Sequence, residues 1–197
     1  MSTAETGATI APADLTGNYT IDTAHTRIGF SARHAMVSKV RGGFNDFEGS
    51  AYIDAEKPGN SHVEVTIKVA SIDTRNADRD AHLRTNDFLA IDEYPEIKFV
   101  STEIEPLDDS HFKVTGDLTV RGITKPVTID FEYTGAVQDP WGNTRIGFEG
   151  ATTINRKDWG ITWNFALEAG GVMVSEKVNL DFDVEAVKVK EEATTSA

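Results

Sequence analysis

Between Arg27 and Val184 the chain alternates apolar and polar residues with a period of two. Ile28, Phe30 and Ala32 fall on one side of an extended segment and Arg27, Ser31 and Arg33 on the other, the signature of a strand with one dry face. The alternation recurs at Val63, Val65, Ile67 and Val69 against Glu64, Thr66 and Lys68, and at Phe112, Val114, Leu118 and Val120 against Lys113, Thr115, Asp117 and Thr119. It returns at Val127, Ile129, Phe131 and Tyr133, and again at Val178, Leu180, Phe182 and Val184. Strands covered on both faces, as in a parallel sheet, read as continuous apolar runs, so these strands are antiparallel.

Turn signals separate the segments at short intervals: Arg41-Gly42-Gly43, Lys57-Pro58-Gly59-Asn60, Leu107-Asp108-Asp109-Ser110, Gly122-Ile123-Thr124-Lys125-Pro126 and Asp139-Pro140-Trp141-Gly142-Asn143. The spacing gives about eight strands and an all-β sandwich or closed barrel. Closure is preferred, because an open meander of that length leaves two exposed edges. One stretch breaks the rule. Asn76 to Ile91 is dense in charge and places Ala77, Ala81, Arg84 and Phe88 at helical spacing, so a helical excursion is expected over 76–91, at a barrel mouth or a site. Tyr94-Pro95 then restarts the extended chain.

Composition bounds what such a barrel can do. With 19 Lys+Arg against 32 Asp+Glu, the net charge of −13 repels phosphate backbones and argues against nucleic acid as a partner. Zero cysteines exclude disulfides and thiolate chemistry. No apolar run is long enough for a spanning helix, so stable membrane insertion is not expected. The first 13 residues carry no Lys or Arg and no sustained apolar stretch, unlike a secretory signal, which points to a cytoplasmic protein. Residues 1–14 and 188–197 read as disordered ends around a single domain at 15–187.

Candidate chemistry begins with cations that fall out of phase. His34 shares the parity of Ile28, Phe30 and Ala32, and Arg156 shares that of Ile146, Phe148 and Ile154, so each ends an inward row. An inward Arg156 is either paired internally, with Asp158 or Asp80, or part of a cationic collar that grips a polar headgroup. An inward His34 is either a satisfied structural histidine or part of that collar. Arg79, His82 and Arg84 are either a solvated helix face with i, i+4 charge pairs or a lid reaching a ligand. Asp22 and His25 read as a turn bound to backbone groups. Five histidines show no HxH or HExxH spacing, and GxSxG, P-loop and GxGxxG motifs are absent, so no metal centre or catalytic residue is expected. Aromatic residues remain: Phe30, Phe44, Phe99, Phe148, Trp159, Trp163 and Phe165 either pack the lumen or line it, because a barrel of about eight strands does one or the other.

The ordered motifs resemble the YceI-like family. They are Asp22-x-x-His25-Thr26, Ile28-x-Phe30 with His34, Gly43-Phe44-Asn45-Asp46-Phe47-Glu48-Gly49, Ser71-Ile72-Asp73-Thr74, Arg79-Asp80-x-His82-Leu83 and Asp87-Phe88. Further along come Tyr94-Pro95-x-Ile97-x-Phe99, Gly116-x-Leu118-Thr119-x-x-Gly122-x-Thr124-Lys125-x-Val127 and Arg156-x-Asp158-Trp159-Gly160-Ile161. The resemblance implies a lipocalin-like barrel, often a homodimer, whose lumen stores or transports an isoprenoid lipid, either a polyprenyl phosphate or an isoprenoid quinone. It requires no cofactor. On that reading Phe30, Phe99, Phe148, Trp159 and Trp163 contact the tail, and His34, Arg79, His82 and Arg156 the headgroup. At about 0.8 kcal/mol per buried CH2 the tail dominates affinity and the head orients. The competing readings are an enzyme acting on a lipid-like substrate with His34 or His82 as general base, and a filled barrel acting as an interaction module.

Overall fold

In the computed structural model, which describes residues 10–191, the period-two segments become strands of one antiparallel sheet. The first two, β1 (Gly17–Ile21) and β2 (Arg27–His34), lie along the same partner and are separated by a turn at Asp22–Thr26. Strands β3 (Ser38–Phe44) and β4 (Phe47–Ile53) are likewise two halves of one strand, broken at Asn45 and Asp46. A 3-10 turn at Val69–Ser71 divides β5 (His62–Lys68) from β6 (Ile72–Asp73). The remainder are uninterrupted: β7 (Glu96–Pro106), β8 (His111–Val120), β9 (Ile123–Gln138), β10 (Thr144–Asn155) and β11 (Val174–Lys188).

Pairing follows chain order, and the last strand meets the first. β11 pairs with β2 through Asp183↔Arg27 to Val174↔His34, and with β1 through Ile21↔Ala186 to Tyr19↔Lys188. With each broken pair counted once, this is a closed eight-stranded up-and-down barrel, in which no long edge is left to template another chain. Its inward rows form the hydrophobic core, with Ile28, Ile67, Leu118, Val127 and Ile129 all buried.

Several local expectations are corrected. Arg41-Gly42-Gly43 is not a turn but the middle of β3, because Gly42 lies opposite Phe30 and leaves room for its ring. Gly122 does form a turn: Arg121 (φ 51°) and Gly122 (φ 71°) make a two-residue hairpin, and β9 already begins at Ile123. The helical excursion is shorter than 76–91. The Asn76 side chain caps α2 (Ala77–Leu83) by accepting from the Arg79 amide at 2.9 Å. The helix stops because Thr85 caps it from below, its hydroxyl donating to the His82 carbonyl, and the chain then turns through Ala90 at φ 50°.

The expected disordered lead falls outside the described residues for 1–9, and the tail does so for 192–197. Pro12–Leu15 forms a short helical turn across one end of the barrel, started by Pro12, and β11 continues to Lys188. Leu15 is buried, and its carbonyl accepts from the Tyr19 hydroxyl at 2.7 Å. Burial, then the neighbouring Tyr133, pushes that phenol up to about 12, so it remains a donor. The barrel thus has an end crossed by Pro12–Leu15 and an opposite end covered by α2. No helix among the described residues is long and apolar enough to cross a membrane.

Candidate functional site

The lumen is hollow. A cavity of about 750 Å3 runs from Leu15 at one end to Val174 at the other and takes side chains from every wall. Val174, Val178, Leu180, Phe182, Val184 and Ala186 of β11 line it, and the twelve steps from the first to the last, at ~3.3 Å each and a tilt of ~40°, span a channel of about 30 Å. The volume is in the range of small-molecule sites.

Glycines explain why large aromatics fail to fill it. Phe30 faces Gly42 and Phe131 faces Gly150 across neighbouring strands, while Gly116 is the diagonal neighbour of Phe99. A Cβ built on these glycines would stand 2.5 Å from Phe30 Cζ, 2.4 Å from Phe131 Cε1 and 2.4 Å from Phe99 Cζ. Each ring therefore folds over an inward-facing glycine on the wall instead of crossing the lumen. The rings fill the space that the three missing side chains leave, and the middle of the lumen stays open.

Of the residues expected on the tail, Phe30, Phe99, Phe148 and Trp159 line the cavity. Trp159 is buried at the α2 end, where its indole N–H donates to the Leu118 carbonyl at 3.0 Å. Trp163 does not line it. Its ring instead packs outside that end against Phe88 at 5.3 Å and edge-on to His82 at 4.9 Å.

The expected headgroup residues are not brought together. Arg156 alone of the four lines the cavity, and the ion pairs expected with Asp158 or Asp80 are not made. Its guanidinium donates to three backbone carbonyls instead: Ile161 at 2.8 Å, Ser175 at 2.9 Å and Val174 at 3.3 Å. Burial pushes its pKa below the ordinary guanidinium value, against the pull of Glu176. Arg156 thereby ties down the segment that leads into β11. His34 keeps its predicted parity but stands at the very end of β2, where the wall has run out, and is exposed. Arg79 turns away from the lumen and donates to the Thr74 hydroxyl and carbonyl, each at 2.7 Å. Asp80 accepts from the amide of the same Thr74, at 2.9 Å, so the expected i, i+4 pairs give way to a network that pins α2 to the residue following β6. His82 bonds Asp87 at 2.8 Å on the outer side of the cover. Neither His34 nor His82 lines the cavity, so neither has the geometry of a general base acting there.

The other mouth was missed by parity reasoning because it is built from loops. Asp54, Glu56, His62, Asp108 and Asp109 line it, and all but the half-buried Asp54 are exposed. Amides of the turns lower the pKa of two of its carboxylates, Asp108 and Asp54. Asp108 is pushed down to about 2, first by the Ser110 amide and then by the His111 ring. Asp54 is lowered by the Lys57 amide and the Asn60 side chain. The turn signals Lys57-Pro58-Gly59-Asn60 and Leu107-Asp108-Asp109-Ser110 were the available clue.

Asp22 and His25 form the expected turn, with the carboxylate accepting from the Ala24 amide at 3.0 Å and meeting the His25 ring at 2.9 Å. Tertiary structure adds Glu185, so that three possible metal ligands lie within 4.8 Å of one another. The cation among them is Arg145, whose Nη1 lies 2.6 Å from Asp22 and 2.7 Å from Glu185. Its Nε reaches Asp139 at 2.9 Å. This knot clamps the junction of β1 and β2 onto β10 and β11.

Comparison with known proteins agrees with this architecture. The chain is 42% identical over 182 residues, 91% of each sequence, to a UPF0312 protein of Photorhabdus laumondii. The crystal structure of a Campylobacter jejuni YCEI protein superposes with a TM-score of 0.68 at 31% identity, over 80% of this chain and 90% of that one. A polyisoprenoid binding domain from Saccharophagus degradans, implicated in plant cell wall breakdown, shares the fold with a TM-score of 0.66 at 13% identity, over 87% of this chain and 98% of that one. The YceI-like domain model matches residues 19–186, and the chain belongs to that family.

Proposed function

We propose that this protein binds an isoprenoid lipid inside the barrel, with the tail in the lumen, and acts on it by holding it rather than by transforming it. The observation that carries the reading is the continuous apolar channel from Leu15 to Val174, kept open by glycines under Phe30, Phe99 and Phe131. A tail supplies what such a channel rewards, about 0.8 kcal/mol for each CH2 removed from water, against the ordering cost of a flexible chain. The polyisoprenoid-binding name of the Saccharophagus degradans domain, which shares the fold, points the same way.

Between the two headgroup classes, the electrostatics favour the uncharged head of an isoprenoid quinone. Arg156, the cation in the lining, has its guanidinium committed to backbone carbonyls. The mouth crossed by Pro12–Leu15 carries Asp54, Glu56, Asp108 and Asp109, which repel a phosphate. The test is mass spectrometry of organic extracts from the protein purified out of its own host, followed by titration of the stripped protein with a prenyl quinone. A stoichiometric isoprenoid is expected. An empty protein that takes up neither quinone nor prenyl alcohol would overturn the reading.

A further inference from the structure

A corner of the barrel beside α2 carries exposed apolar residues that the cavity does not use. The β2–β3 hairpin tip presents Met36 and Val37, 65% and 81% exposed, and the hairpin before β11 presents Phe165 and Val172, 63% and 37% exposed. The two tips are one unit. The Ala35 amide donates to the Met173 carbonyl at 2.7 Å, and Met36 lies against Gly171. They fence the end of the cavity, since Ala32 and Val174, just behind them on β2 and β11, line it.

Just outside the tips the charge inverts. In a chain of net charge −13, Arg33 and Lys39 stand opposite each other across β2 and β3, Arg41 follows on the same outward face, and Lys177 lies in the bulged stretch of β11 beside them. All four are exposed and none is in an ion pair among the described residues. The nearby acids include Asp73, opposite Gly43 on the same outward face as Arg41, Glu168 on the hairpin, and Glu176, which is paired with Lys157 at 2.5 Å. The α2 side of the same end carries Asp78, Asp87, Asp92 and Glu93 against the exposed Arg75.

We propose that this corner docks on an anionic lipid bilayer, with Met36, Val37, Phe165 and Val172 entering the interface and Arg33, Lys39, Arg41 and Lys177 meeting the headgroups. Apolar tips rimmed by basic side chains are the chemistry of interfacial anchoring. A second copy fits less well, because two-fold pairing would face the basic cluster with itself. The opposite, acidic mouth then points to solvent. That the corner serves lipid exchange rests on the isoprenoid reading; the docking itself does not.

The test uses the full chain stripped of lipid and vesicles free of isoprenoids, so that a failure of isoprenoid binding leaves it intact. Sedimentation with vesicles of phosphatidylcholine alone or with one quarter phosphatidylglycerol is expected to show partition at least ten-fold stronger onto the anionic vesicles, lost in high salt. Val37→Asp with Phe165→Asp, and separately Arg33→Glu with Lys39→Glu, should each reduce it ten-fold or more without changing the thermal melt. The chain has no cysteine, so an environment-sensitive dye on Val37→Cys reports insertion directly, and the same dye on Asp109→Cys should stay in water. Equal partition onto both vesicle types, indifference to both variant pairs, or a dye at Asp109→Cys that inserts as well as one at Val37→Cys would overturn the proposal. So would patch variants that convert a dimer to a monomer in sedimentation velocity, which would make the corner an interface between copies.

Discussion

Phe131 on β9 lies directly opposite Gly150 on β10, so close that a Cβ at position 150 would stand 2.4 Å from the ring. The ring covers the glycine and stays on the wall. Gly150→Ala and Gly116→Ala are therefore expected to push Phe131 and Phe99 into the lumen. Overpacking of this kind costs roughly 1–3 kcal/mol. Ligand capacity should fall further than stability does, with at least ten-fold weaker uptake of long prenyl chains and a smaller effect on short ones. Titration of the two variants with prenyl alcohols of increasing length checks this.

Arg156 donates to three carbonyls and holds the segment between β10 and β11. Arg156→Met should leave those carbonyls unpaired at a cost of roughly 3 kcal/mol, lowering Tm by about 6–12 °C for a domain of this size. Quinone affinity of the folded variant should stay within about three-fold of the parent. Scanning calorimetry and ligand titration separate the two effects. A ten-fold loss of affinity with Tm unchanged would instead make Arg156 a headgroup contact.

The Arg145 knot sets acid stability. Hydrogen bonds from Arg145 and then His25 hold the Asp22 carboxyl below its ordinary value. Burial opposes ionisation of Asp139, but Asn143 and Arg145 outweigh it and lower that carboxyl too. A carboxyl with a lower pKa folded than unfolded contributes stability that is whole above the unfolded value, about 3.9, and is lost as pH falls through the folded one. Arg145→Leu should therefore lower Tm at neutral pH, and the gap to the parent should close as pH drops below about 4. Thermal melts across that range are the measurement.

Headgroup charge should matter more than headgroup size. A prenyl quinone is expected to bind at least ten-fold more tightly than a prenyl diphosphate of the same tail, because Asp54, Glu56, Asp108 and Asp109 ring the mouth. Asp108→Asn with Asp109→Asn should narrow that ratio by strengthening the diphosphate, and added salt should narrow it as well. Calorimetric titration in the same detergent background reads both.

Much of the wall was legible in the sequence, because side chains of a strand alternate between its faces whatever the strand pairs with. That is why Phe30, Phe99 and Phe148 were correctly expected to face inward. Parity reports a face but not how far along the barrel a residue lies, so His34 was placed with its row although the wall ends beneath it. It also carries no information about residues off the strands. Trp163, Arg79 and His82 lie on the cover at the α2 end, where packing against Phe88 and Thr74 decides their direction. The acidic mouth belongs to loops and could not be assembled from local spacing.

The sequence by itself determined the antiparallel strands, their inward rows and the likeness to one family, since these depend on local periodicity and ordered motifs. Whether the lumen is filled or hollow was decided only in three dimensions. The same phenylalanines either cross a barrel or lie on its wall, and the choice depends on cross-strand register, which sets Gly42 opposite Phe30 and Gly150 opposite Phe131. Arg156 shows the same division. Its inward parity was in the sequence, but its partners, the carbonyls of Ile161, Val174 and Ser175, lie on a segment whose path only the closed barrel fixes.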